Sequence, residues 1–203
     1  MKYIMSCEKK RIAVFASGNG SNFEALAAAC ADGRLNAEIA LCVVDKPKAY
    51  VIERAAKYGI PTLVVSPKDF LSKRDYEKCI ADRLDEEKVS LVCLAGYMRI
   101  VAEELLSRYE GRIINIHPAL LPAFPGAHAI EDAFNYGVKV YGVTIHYVNS
   151  TVDGGKIISQ VAVPYEGTDI EELESMIHAS EHRLPPNRGW IFHCNMPLTI
   201  KTP

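Results

Sequence analysis

Asn115-Ile116-His117-Pro118 places an amide donor and a titratable imidazole on either side of one apolar residue. In an extended chain a period of two sends Asn115 and His117 to one face and Ile116 to the other, and Pro118 keeps His117 extended. Such a pair suits an oxyanion: the Asn115 amide and a protonated His117 can both donate to developing negative charge, and His117 can also move a proton. The tetrapeptide alone is equally open to a histidine that only hydrogen-bonds its neighbours. Asp153, in Val152-Asp153-Gly154-Gly155, is the carboxylate that favours an imidazolium if the fold brings it close, and an ordinary turn aspartate if not.

A second signal is the run Ser17-Gly18-Asn19-Gly20-Ser21-Asn22 between a strand-like segment and a helical one. Backbone N–H groups and the positive end of a helix converge there, so the loop suits an anion, with the Ser21 hydroxyl and Asn22 amide as added donors. A dinucleotide fingerprint is the competing reading, with Asp45 at the end of the second strand as its ribose ligand. Phe23 stands where that fingerprint needs its third glycine, and no Gly-Lys-Ser/Thr follows for a triphosphate. A phosphate monoester is the preferred ligand, with a plain tight turn as the alternative.

Other histidines carry less. His178-Ala-Ser-Glu181-His182 matches a zinc-hydrolase spacing, but residues 183–203 hold no Asp or Glu to complete it, leaving only His193, and Pro185 and Pro186 end the helix. His146 reads as structural with an active-site role as the alternative, and His128 has no evident role.

The elements that must position these residues alternate. Residues 12–16, 39–44, 62–65, 89–95 and 113–116 are short Val/Ile-rich runs, separated by segments of helical period, which implies a parallel sheet. The first helix carries Phe23, Leu26, Ala27 and Cys30 on one stripe, and the third opens on Ser72-x-x-Asp75. Glu53 and Lys57 form an expected solvated pair on the second helix. From about residue 138 the period changes to two, and VKVYGVTIHYV, NSTVDGG and KIISQVAV read as a hairpin. A last helix follows, with Thr168-x-x-Glu171 as its expected capping box and Ile170, Leu173 and Ile177 as its apolar stripe.

With 203 residues, 49% of them hydrophobic, the chain can bury a sizeable core. Its 23 basic and 25 acidic side chains leave a net charge of −2, so no nucleic-acid partner is expected. The longest apolar stretch, residues 91–98, falls short of the ~18 residues of a membrane span, and residues 1–10 lack a signal-peptide core. A cytoplasmic protein without a membrane partner is expected. Cys7, Cys30, Cys42, Cys79, Cys93 and Cys194 show no C-x-x-C spacing and read as reduced.

Six ordered motifs, SGNGSN (17–22), LAGYMRIV (94–101), NIHPALLPAFPG (115–126), GVTIHYV (142–148), VDGGKIISQ (152–160) and EHRL (181–184), resemble the folate-dependent glycinamide ribonucleotide formyltransferases of purine biosynthesis. The resemblance covers roughly residues 11–184 and implies a three-layer, Rossmann-like α/β fold, mostly parallel with an antiparallel C-terminal hairpin. It implies formyl transfer from 10-formyltetrahydrofolate, as cosubstrate, to glycinamide ribonucleotide. It further implies Asn115, His117 and Asp153 as the catalytic set, and Gly20, Ser21 and Asn22 as the phosphate site. Arg74, Met98, Arg99, Ile100, Val101, Asn115 and the loop 149–153 then shape the folate site, without a metal. Glu181 looks like the ligand of the ribose hydroxyls. Its place four residues after Ile177 and eight after Leu173 agrees, since a carboxylate on the inward stripe needs a polar partner, although a solvated helix edge is the alternative. One domain over 1–203 is expected, with small molecules as partners and monomer or homodimer left open. Residues 185–203 depart from the family, being proline-punctuated and free of acids.

Overall fold

The computed structural model describes residues 9–183. The expectations about residues 1–8 and 184–203, including Cys7, Leu184, His193, Cys194 and the atypical tail, lie outside them. Seven strands form one sheet in the order β3-β2-β1-β4-β5-β6-β7. β1 (Lys10–Ala16), β2 (Ala37–Val44), β3 (Thr62–Val64), β4 (Leu91–Leu94) and β5 (Ile113–His117) run parallel. β6 (Val140–Tyr147) and β7 (Ile157–Pro164) close the far edge antiparallel, as the change of period predicts.

Alternation along β1 explains the layering. Ile12, Val14 and Ala16 face α1 (Ser21–Ala31), α2 (Val51–Lys57), α5 (Ala129–Tyr136) and α6 (Ile170–Arg183), whereas Ala13 and Phe15 face α3 (Lys73–Glu86) and α4 (Glu103–Arg108). Phe23 and Leu26 of α1 and Ile80 and Leu84 of α3 are fully buried, each contributing about 1.5–3 kcal/mol. Both faces of the sheet are thereby covered, giving the expected three layers.

Local signals hold with two corrections. Ser72 caps α3, its Oγ accepting from Asp75 N–H at 3.1 Å and donating to the Asp75 carboxylate at 2.7 Å. At α6 the cap is Asp169 rather than Thr168: its Oδ1 accepts from Glu171 N–H at 2.9 Å, because the helix begins one residue later than the capping-box spacing implies. Lys57 reaches Glu24 of α1 at 3.1 Å instead of Glu53, since α1 and α2 pack side by side. Cys30, Cys42, Cys79 and Cys93 are free thiols, and burial pushes Cys42 up to about 12.

Two helices carry no sequence expectation. α4 is six residues with a single buried leucine, Leu105, and its N-terminus is held from another element. Glu77 of α3, 2% exposed, accepts Ala102 N–H at 2.6 Å and Leu105 N–H at 3.3 Å. α5, with eight residues, buries only Ala129 and Ala133.

Candidate active site

β1, β4 and β5 lie side by side, so the loops at their carboxyl ends share one edge of the sheet, where open α/β folds bind ligands. Asn115 and His117 stand at the end of β5, and Ile114 and Ile116 pack into the opposite face. The antiparallel register of β5 with β6 sets His146 directly opposite Asn115. Asp153 returns from the loop after β6, its backbone left-handed at φ +50, a conformation that costs an L-residue energy and gathers at functional sites.

Asp153 is the hub. Its Oδ1 lies 3.4 Å from Asn115 Nδ2 and 3.5 Å from His146 Nε2. Its Oδ2 accepts Gly126 N–H at 2.8 Å and lies 3.5 Å from His117 Nδ1. Burial raises the Asp153 pKa, but the hydrogen bonds with His146 and Gly126 and the charges of His117 and His146 outweigh it, holding the carboxyl below its ordinary value. His117, 3% exposed, donates from Nε2 to the Phe124 carbonyl at 2.8 Å. His146 donates from Nδ1 to the Tyr147 carbonyl at 2.8 Å, and its Nε2 stands 3.3 Å from Asn115 Nδ2 as well as close to the Asp153 carboxylate.

The Gly-rich loop has the backbone geometry that suits an anion. α1 begins at Ser21, no side chain caps Gly20, and the first helical bond runs from Glu24 N–H to the Gly20 carbonyl at 2.9 Å. The backbone N–H groups of Ser21, Asn22 and Phe23 therefore have no helical acceptor and stand at the positive helix end. Gly20 has φ +75, and a Cβ there would lie 2.5 Å from Val51 Cβ and 3.0 Å from Val51 Cα. α2 can approach this closely only because residue 20 has no side chain. Arg54 holds the neighbouring residue, donating to the Asn19 carbonyl at 2.8 Å and to Asn19 Oδ1 at 2.9 Å.

Asn22 differs from expectation in part: its side-chain N–H₂ donates to Glu181 Oε2 at 3.1 Å, which leaves its backbone N–H as its donor at the helix start, and its Oδ1 is buried without a partner among the described residues. Glu181 is 4% exposed and also accepts from His178 Nδ1 at 2.8 Å. The inward-stripe reading of Glu181 therefore holds over the solvated one. Among the described residues no three His, Cys, Asp or Glu side chains assemble as metal ligands. His178 serves instead as a partner of Glu181.

Residues 96–101 form the third loop. Met98 and Ile100 are each 65% exposed, Val101 is buried, and Arg99 Nε donates to Asp45 Oδ2 at 2.8 Å. Ser17 ties this loop to the Gly-rich one: its N–H reaches the Gly96 carbonyl at 3.1 Å and its Oγ accepts Met98 N–H at 2.8 Å. Arg74 stands apart, 83% exposed and 3.5 Å from Glu104, lining a cavity of about 380 Å³ between α3 and α4 that Ala102 also borders.

Several contributors escape the sequence reading: the Phe124 carbonyl, Gly126 N–H, Ser17 and the full engagement of His146. Only His146 carries an active-site alternative in sequence, and it is the antiparallel register of β5 with β6 that pairs it with Asn115.

Comparison with known proteins places this geometry. Residues 10–188 match the formyl transferase family. The chain is 48% identical over 179 residues to a phosphoribosylglycinamide formyltransferase of Bacillus subtilis, covering 88% of this chain and 92% of that protein. The crystal structure of phosphoribosylglycinamide formyltransferase from Streptococcus pneumoniae TIGR4 is 52% identical, with a TM-score of 0.82 over 87% of this chain and 95% of that one. Glycinamide ribonucleotide transformylase 1 from Symbiobacterium toebii is 40% identical, with a TM-score of 0.90 over 96% and 92%.

Proposed function

The chain belongs to the formyl transferase family, and from that premise we propose that it formylates the primary amine of glycinamide ribonucleotide in purine biosynthesis, drawing the formyl group from 10-formyltetrahydrofolate. The observation that carries the catalytic part is the convergence of Asn115, His117 and His146 on Asp153 within 3.5 Å at the carboxyl edge of β5.

In this reading the acceptor's phosphate sits on the backbone N–H groups of Gly20, Ser21 and Asn22, and its ribose hydroxyls donate to Glu181. Met98 to Val101, Asn115 and the loop 149–153 hold the folate, with Arg74 toward its outer end. The amine then attacks the formyl carbon, a C–N bond forms, and the carbonyl oxygen becomes an oxyanion. Asn115 meets that charge, exchanging its long contacts of 3.3 and 3.4 Å for a stronger one. The two nitrogens of His117 face two acceptors, the Asp153 carboxylate and the Phe124 carbonyl, and a proton on each satisfies both. The resulting cation adds to oxyanion stabilisation. Collapse breaks the bond to the folate N10, which takes up a proton lost by the attacking nitrogen, directly or through water, and tetrahydrofolate leaves.

The test is formyl transfer to glycinamide ribonucleotide by the wild type, Asn115→Ala and His117→Ala, with circular dichroism to certify folding. Rates ~10²–10³-fold lower in Asn115→Ala are expected, as for a removed oxyanion donor. A folded His117→Ala protein with undiminished turnover would overturn the catalytic assignment, and a folded but inactive wild type would overturn the acceptor.

A further inference from the structure

Asp45 ends β2 and is 2% exposed, yet only one of its oxygens is used: Oδ2 accepts from Arg99 Nε, whereas Oδ1 is buried without a hydrogen-bond partner among the described residues. Burying a carboxylate is costly, and leaving one oxygen unsatisfied adds to the cost, so packing alone gives no reason for an acid here. Its surroundings are apolar or hydroxylic. Tyr76 and Tyr97 share a 2.6 Å hydrogen bond beside it, and Tyr97 stacks edge-on against Phe15 of β1 at 5.2 Å. Burial, with the charge of Asp45 as a lesser cause, raises the pKa of both tyrosines, so they stay neutral and add no second negative charge beside the carboxylate.

What Asp45 holds is the loop after β4. Arg99 is 44% exposed on its side chain and would be free to sample many rotamers, but its Nε is drawn inward to Asp45. One residue earlier Ser17 Oγ takes Met98 N–H, and two residues later Val101 is buried. The backbone from 98 to 101 is thus fixed at three successive points: a hydroxyl from the Gly-rich loop, a carboxylate from β2, and an apolar anchor. The exposed Met98 and Ile100 side chains between them then have one presentation rather than many.

We infer that Asp45, acting through Arg99, is a positioning residue for the formyl donor, setting the 98–101 backbone against which the folate ring docks. This rests on the proposed assignment of that loop to the folate. Asp45 is then not a nucleotide ligand, despite standing where a dinucleotide site would place its ribose acid, because it is buried and its one engaged oxygen is paired with Arg99.

The experiment measures KM for each substrate, kcat, and direct binding of tetrahydrofolate in wild type, Asp45→Ala, Asp45→Asn, Arg99→Met and the double variant Asp45→Ala/Arg99→Met. Loss of one charge-assisted hydrogen bond at a half-exposed arginine corresponds to a ~5–10-fold rise in donor KM and in tetrahydrofolate dissociation constant. In Asp45→Ala and Asp45→Asn, acceptor KM and kcat at saturating donor stay within about twofold. Asp45→Asn, which keeps an oxygen for Arg99 Nε, retains most donor affinity, and the double variant is no worse than the weaker single one. A merely structural Asp45 would change the unfolding midpoint while leaving donor KM alone, and that result overturns the inference. So do equal losses for donor and acceptor. If the wild type binds no tetrahydrofolate, the functional reading falls and this inference with it. If the wild type binds it and Asp45→Ala binds it equally well, only the inference falls.

Discussion

Replacing Gly20 by alanine tests the architecture of the Gly-rich loop at one atom. The new Cβ would lie 2.5 Å from Val51 Cβ and 3.0 Å from Val51 Cα, and the second of these is backbone, so no rotamer change relieves it. Val51 is fully buried and opens α2, so the helix itself must retreat. Overpacking of this kind costs about 1–3 kcal/mol, and holding alanine at φ +75 costs a further ~1–2 kcal/mol. The sum, about 2–5 kcal/mol, is a large part of an ordinary domain's stability. If the helix retreats, the bond from Val51 N–H to the Gly18 carbonyl, 3.1 Å long, is lost and the anion site opens. Urea unfolding should show the loss of stability, and steady-state kinetics a higher KM for the phosphorylated acceptor with donor KM much less changed. Gly18→Ala is the control. Nothing lies within 4 Å of a Cβ there and its φ is not in the left-handed region, so a change within about 0.5 kcal/mol is expected. Equal midpoints for the two variants would refute the close-approach argument.

Two further outcomes follow from buried charge and from pH. Glu77→Ala removes the acceptor of two N–H groups at the start of α4 and should lower stability by about 2–4 kcal/mol in urea unfolding; Glu77→Gln, which keeps one acceptor oxygen, should recover about half. The hydrogen bond to Glu181 raises the His178 pKa above the ordinary 6.5. That interaction stabilises the fold fully below the unfolded-state value and is lost as pH rises through the higher folded value. His178→Ala should therefore narrow its deficit relative to wild type between about pH 5.5 and pH 8.5, and a pH-independent deficit would count against the pairing.

The framework of sheet and layers could be read from the chain because it depends on short-range alternation. Ile12, Val14 and Ala16 against Ala13 and Phe15 declare two faces before any fold is known. The helix starts were legible to within a residue at α3 and off by one at α6, where Asp169 competes with Thr168 for the same role. α4 was illegible because what stabilises its start, Glu77, belongs to a different helix 25 residues away. Lys57 was mispaired for a similar reason: its carboxylate lies across a helix–helix contact rather than one turn along. At the site, the shared face of Asn115 and His117 was legible from period two, and the burial of Glu181, which the family resemblance singled out, agreed with its inward stripe. The hydrogen bonds around them join His117 to Phe124, Gly126 to Asp153 and Met98 to Ser17, and the backbone groups and small hydroxyl involved carry no distinguishing chemistry in sequence.

The adjacency of β1, β4 and β5 also sets a length. Neighbouring strands stand about 4.8 Å apart, so the end of β1, where the proposed function seats the acceptor's phosphate, and the end of β5, which carries the Asn–His pair, are separated by two such steps, or about 10 Å. The sheet acts as a ruler. An amine anchored by its phosphate must extend about that far, the reach of a ribose phosphate carrying a short amide arm, before its nitrogen arrives beside Asn115. A shorter phosphorylated amine meets the same anchor and stops above β4, and a bare amine meets no anchor at all. Under the proposed function, discrimination among acceptors needs no dedicated pocket around the amine, because the spacing of three hydrogen-bonded strands selects for size.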